Sequence, residues 1–182
     1  VGRYPLLVDD ARDEKAIDGI RVLLRDAVER LDVAGARDEG LAVFVPRHRR
    51  MLVTREAVLR PAGRVWRLGV LLLDRSGSLH ATGSITRAAE SNRPTFQSVS
   101  AETRRELRVA AVRGHFAVGE TVNYDAPEID LSAAGLRGAG GPLVLRDGVA
   151  LVRWSPAAFA TVPFGPYLAE RVSLLTDPPQ GA

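Results

Sequence analysis

The chain has 182 residues, 46% apolar and 26% charged, with 17 Gly, 11 Pro and no Cys. That length suits one domain and buries enough surface to fold without staples. The missing cysteines exclude disulfides, thiolate nucleophiles and cysteine-held zinc or iron–sulfur centres. The longest apolar run, Leu68 to Leu73, falls far short of the about 20 residues of a membrane span. No leader is legible at the start, Val1, and the expected compartment is the cytoplasm.

The basic residues are 24 Arg and one Lys, Lys15. A GC-rich coding sequence is enough to produce that bias, so its placement matters more than its size. Residues 1–40 carry 7 basic and 10 acidic side chains, net −3. Residues 41–113 carry 14 basic and 5 acidic, net +9, and residues 114–182 carry 4 and 7, net −3. A basic middle lies between acidic ends.

In chain order, Ile17, Ile20, Leu24, Ala27, Val28 and Leu31 recur at helical spacing and predict a helix from about Asp10 to Val33. Asp9 or Asp10 would cap it, and Gly35 would stop it. Gly19 inside it costs about 1 kcal/mol against Ala, a cost that close packing of another element could repay. Leu41–Val45 is a short apolar run, Pro46 to Arg50 reads as a turn, and strands follow near Met51–Thr54 and Ala57–Arg60. Pro61-Ala62-Gly63 punctuates. Arg64–Asp74 and Ser78–Ala88 then suggest a hairpin through Arg75-Ser76-Gly77, with Leu73 opposite His80. Ser78, His80, Thr82, Ser84 and Thr86 would form a polar stripe facing solvent.

Ser100 can open a second helix to about Arg113, with Leu107, Ala110 and Ala111 on one face and Arg104, Arg105 and Arg108 on the other. A strand near Thr121–Tyr124 follows, and Gly135 to Gly141 looks like a flexible loop. Asp147-Gly148 between Leu143–Arg146 and Val149–Trp154 is a strong hairpin signal. Ser155-Pro156 begins a helical turn. Gly165-Pro166 begins a last helix with Leu168, Val172 and Leu175 inward, ended by Pro178-Pro179. No repeat or linker interrupts this order. The expected fold is one α+β domain over residues 1–182, an antiparallel β-meander packed with N-terminal, central and C-terminal helices.

Catalytic signatures are missing. There is no Gly-Lys phosphate loop, no G-x-S-x-G elbow and no S-x-x-K, since Arg12 stands three residues before Lys15. His48, His80 and His115 are too far apart for a local metal pair. His80 with Thr82 and Ser84 is the one conceivable hydroxyl-activating group, the basis of an alternative amidohydrolase-like reading with a site assembled from distant residues.

Two basic features point instead to an anion. One is Arg93 with Arg104, Arg105 and Arg108 at the second helix, and the other is Arg47, Arg49 and Arg50 in the turn. Guanidinium forks suit carboxylate and phosphate. Phe44, Trp66 and Phe96 are the only aromatics in the basic middle, too few for a single-strand reader that stacks bases.

The stretch Gly63-Arg64-Val65-Trp66-Arg67-Leu68-Gly69-Val70-Leu71-Leu72-Leu73-Asp74 resembles an uncharacterised family of bacterial proteins. The end, Trp154-Ser155-Pro156 through Leu175-Thr176-Asp177-Pro178-Pro179, is similar to it too. Some members of that family carry the label glutaminase. Serine-type glutaminases use Ser-x-x-Lys and glutamine amidotransferases use Cys, and this chain has neither. The resemblance brings no catalytic residue. The reading that follows is a non-enzymatic binding or interaction module with an arginine-rich surface for an anionic small molecule or protein partner. No cofactor or metal is expected, and the same surfaces could serve a homo-oligomer.

Overall fold

A computed structural model describes residues 4–50, 53–90, 99–138, 140–155 and 160–178. Its elements are α1 (Tyr4–Val33), β1 (Glu39–Val45), β2 (His48–Arg50), β3 (Val53–Arg55), β4 (Val58–Leu68), β5 (Leu71–Asp74), β6 (Leu79–Ala81) and β7 (Ser84–Arg87). Then come α2 (Val99–Arg113), β8 (Thr121–Tyr124), α3 (Ala133–Gly138), β9 (Leu143–Arg146), β10 (Val149–Arg153), β11 (Thr161–Pro163) and α4 (Phe164–Thr176). The fold is α+β, with N-terminal, central and C-terminal helices and mostly antiparallel strands. Among the described residues no helix is long and apolar enough to cross a membrane.

The chain divides into two compact units that interleave in sequence. One holds Val1–Arg37, Trp66–Ala81 and Glu128–Ala182, and the other holds Asp38–Val65 and Thr82–Pro127. Because each unit is assembled from separate stretches, no linker marks the boundary.

In the first unit, α1 presents Ile17, Ile20, Leu24, Ala27 and Leu31 as one buried stripe. They meet Trp66, Leu68, Leu71, Leu73 and Leu79 from the strands, and Phe164, Leu168 and Val172 from α4. Each such aliphatic side chain contributes roughly 1.5–3 kcal/mol on burial. The helix starts at Tyr4, earlier than its apolar spacing predicts. Asp10 therefore lies inside it and caps nothing. It accepts instead from Arg137 Nη2 at 2.7 Å, and the same guanidinium pairs with the buried Asp13. The stop is as expected: Ala34 and Ala36 N–H close on Arg30 and Leu31 around Gly35. Gly19 is exposed with open space around it, so no close packing offsets its cost.

Strands β5 and β6 pair Leu71 with Ala81, Leu72 with His80 and Leu73 with Leu79. That is one residue away from the expected register, and such a slip exchanges the faces. Here, however, Leu71, Leu72, Leu73 and Leu79 are all fully buried, so both faces are covered, and His80 is buried opposite Leu72 rather than part of a solvent-facing stripe. Gly69 turns β4 into β5 at φ 69°, and a Cβ there would lie 2.1 Å from the Tyr167 hydroxyl. That hydroxyl accepts from Val70 N–H at 3.0 Å and donates to Leu68 C=O at 3.1 Å, locking the turn. Asp147 and Gly148 both take positive φ, 51° and 73°, and join β9 to β10 as predicted. The glycine-rich stretch after Ser132 is not all loop: Ala133–Gly138 forms α3, because Leu136 is fully buried and Arg137 is anchored. Residues 156–159 lie outside the described residues, as does Pro179, while α4 buries Leu168 and Val172 as expected.

In the second unit, β1 pairs antiparallel with β4 and parallel with β8, and β8 pairs antiparallel with β7. Pro61-Ala62-Gly63 is not a turn. The register steps from Leu41 opposite Gly63 to Ala42 opposite Pro61, so β4 runs on through a bulge at Ala62. The core is small: Ala42, Ala57, Ala88, Ala110 and Ala111 around Leu59, Phe116, Val122 and Tyr124. Small side chains let α2 close on the strands. At its end a Cβ on Gly114 would sit 1.8 Å from the Leu59 carbonyl oxygen. His115, not Gly114, takes the left-handed conformation there, at φ 66°.

Candidate functional site: an arginine-lined cleft in the second unit

Helix α2 buries Ala110 and Ala111, with Leu107 half-buried beside them. Arg104 and Arg108 are one turn apart and so share a face, about 5–6 Å between Cβ atoms. Across from them stands β7, an edge strand whose register places Ser84 opposite Tyr124 and Arg87 opposite Thr121 on β8. An open cleft of about 390 Å³ lies there. Arg87, Arg104 and Arg108 supply three cations to its lining. Ile85, Thr86, Leu107, Thr121 and Tyr124 complete the lining; along β7, Ile85 and Arg87 leave the strand on the face opposite Thr86 and Tyr124. Among the described residues, no carboxylate lines the cleft.

Several arginines elsewhere in this unit have partners. Arg64 reaches Asp38 at 2.6 Å and also pairs with Glu120, and those hydrogen bonds hold its pKa above the ordinary value against the cost of partial burial. Arg113 Nη1 donates to Ala57 C=O at 3.1 Å. Arg47 stands 3.5 Å from Glu56. By contrast, the Arg87 and Arg108 side chains have no hydrogen bond or ion pair among the described residues, and Arg104 donates only from Nε to Ser100 C=O, 3.2 Å, leaving its outer nitrogens free. The Tyr124 hydroxyl likewise has no partner among the described residues, although the residue is only 7% exposed. Arg104 and Arg108 are like charges on adjacent turns, and among the described residues no carboxylate lines the cleft to offset them.

Of the residues expected at an anion site, the structure brings Arg104 and Arg108 together. Arg105 turns to Glu102 at 3.5 Å and does not line the cleft. Arg93 lies outside the described residues. Arg47 precedes, and Arg49 and Arg50 belong to, a two-stranded ribbon of β2 and β3 rather than a turn, and neither Arg47 nor Arg49 is among the described residues that line the cleft. Arg87 has no local signal: its place follows from the pairing of β7 with β8, which only the folded chain shows.

The histidine group is not assembled as a strand face. Strand β6 ends at Ala81, and β7 begins at Ser84, so His80, Thr82 and Ser84 do not share one strand. His80 Nε2 is 3.5 Å from Asp74 Oδ2, too long for a good hydrogen bond, and neither ring nitrogen has another partner among the described residues. Burial pushes the Asp74 carboxyl up, but three hydrogen bonds from Ser76 and Ser78 outweigh it and hold the group below its ordinary pKa. Of the aromatics a nucleic acid could stack on, Trp66 is buried with its Nε1 donating to Ala36 C=O, and Phe96 lies outside the described residues. No protein-family model, curated protein or solved structure matches the chain.

Proposed function

We propose that the protein is a non-enzymatic binding module, and that the cleft beside α2 and β7 takes an anionic small molecule or the anionic group of a partner. The observation that carries this reading is that Arg87, Arg104 and Arg108 line one concavity with no acidic side chain among its described lining residues. Salt-bridged surface arginines are ordinary, but a cluster left without counter-charge is a preformed complement for a negative group. The Thr86 hydroxyl adds a neutral donor.

Calorimetric titration with inorganic phosphate at low ionic strength tests the reading. The parent protein is expected to bind, with affinity falling as salt rises. The double substitution Arg104→Gln with Arg108→Gln is expected to lower affinity at least tenfold while leaving the thermal midpoint unchanged. Arg47→Gln with Arg49→Gln, on the β2–β3 ribbon, is the control and is expected to bind as the parent does. Equal affinity in all three proteins would remove the cleft from consideration.

A further inference from the structure

We propose that the ribbon of β2 and β3, away from the cleft, is an arm that enters the major groove of duplex DNA. The register that sets Val45 opposite Val58 carries on into the ribbon, with His48 opposite Arg55 and Arg49 opposite Thr54. The base of the arm is fixed, because Ala57 is buried and its carbonyl accepts from Arg113 of α2. Beyond that base every described residue, from Pro46 to Arg49 and from Val53 to Glu56, is exposed. None of them belongs to either hydrophobic core. The arm adds no apolar cohesion, and a hairpin that packs on nothing is marginal by itself.

Its charge is one-sided. From Pro46 to Glu56 the sequence holds four arginines, one histidine and a single acid, Glu56, which stands 3.5 Å from Arg47. Arg49 and Arg55 have no side-chain partner among the described residues. Cross-strand partners share a face and successive residues alternate, so Arg49 leaves one face of the ribbon and Arg55 the other. A flat anionic surface answers cations on one face only, whereas a groove carries a phosphate strand along each wall. A ribbon standing in the groove turns one face to each. The fit is close: a sheet with its side chains is about 10 Å thick, and the major groove of B-form DNA is about 12 Å wide. The deep, narrow major groove of duplex RNA does not admit such an arm. Paired bases need no stacking platform, so the scarcity of exposed aromatics is no obstacle. A lone phosphate meets one solvated cation at a time, and only a polymer engages the set.

The test is fluorescence anisotropy of the full chain with a labelled DNA duplex of about 20 base pairs, as salt rises from about 50 to about 200 mM. The parent is expected to bind, with affinity falling steeply as salt rises. Arg49→Gln with Arg55→Gln is expected to weaken binding about tenfold at the lowest salt. It is also expected to flatten the slope of log affinity against log salt by about two, one for each lost phosphate contact. Both positions are exposed, so the thermal midpoint is expected to hold. Arg49→Lys with Arg55→Lys keeps the charges and is expected to keep the slope. Arg104→Gln with Arg108→Gln, in the cleft, is expected to bind DNA as the parent does, so this result and the phosphate titration fail separately. No binding by the parent overturns the proposal, as does an unchanged slope in the Gln variant of the ribbon. Equal affinity for duplex RNA of the same length overturns the groove. Tighter binding to phosphatidylserine vesicles, lost in the same Gln variant, overturns DNA in favour of a membrane surface.

Discussion

The first unit closes on Trp66, Phe164 and a long stripe of leucine and isoleucine from α1, whereas five of the nine buried residues at the centre of the second are alanines. The charges differ in the same sense. In the first unit Arg137 is tied to Asp10 and Asp13, and Arg75 lies 3.3 Å from Asp32 and 4.9 Å above the Trp66 ring. In the second, Arg87 and Arg108 have no side-chain partner among the described residues and Arg104 keeps its outer nitrogens free, all three lining a cleft. Large side chains and paired ions such as Arg137 with Asp13 serve cohesion. Small side chains bring a helix close to strands, and unsatisfied ions leave that surface with something to bind. The comparison assigns most of the stabilising apolar burial to one unit and the chemical opportunity to the other.

The sharpest challenge to that contrast is to change core volume in opposite directions. Trp66→Ala removes a buried ring and the Ala36 hydrogen bond, and is expected to cost about 3–5 kcal/mol in urea unfolding. Ala110→Leu adds volume to the tight α2 contact and is expected to cost about 1–3 kcal/mol. If the alanine core absorbed the leucine at no cost, close packing would not be what places α2. A milder effect concerns the one exposed glycine of α1. Gly19→Ala is expected to raise stability by about 1 kcal/mol, since nothing approaches its Cβ position; a loss would mean that the space is used.

The smallest effect is in acid. Asp74 titrates below its unfolded value of 3.8 in the folded protein. Its contribution is therefore complete above pH 3.8 and disappears as pH falls through the lower folded value. Urea midpoints of the parent and of Asp74→Asn should differ at pH 5 and converge toward pH 2. Parallel curves over that range would show that the turn hydrogen bonds from Ser76 and Ser78 do not depend on the charge.

Elements whose information is local were legible in the sequence. The Asp147-Gly148 turn dictates its own hairpin, and Gly35 its own helix stop. Arg104 and Arg108 share a face by helical spacing alone, so two of the three cleft arginines were open to inspection. What was hidden depends on distant partners. Leu71, Leu72 and Leu73 are all apolar, so alternation could not say which faces inward, and the register slipped by one. Arg137 holds a glycine-flanked segment helical through carboxylates more than 120 residues away. Arg87 reaches the cleft only because β7 pairs with a strand beyond α2. The bulge at Ala62 looks like punctuation until the opposite strand is present to show the ladder resuming.

The interleaved tracing carries a consequence for inheritance. The chain passes from one unit to the other after Arg37, Val65, Ala81 and Pro127. No contiguous stretch of gene encodes either unit whole. Duplication or recombination of a fragment would deliver strands without their neighbours, so the large-residue core and the arginine cleft can be copied into a new protein only together.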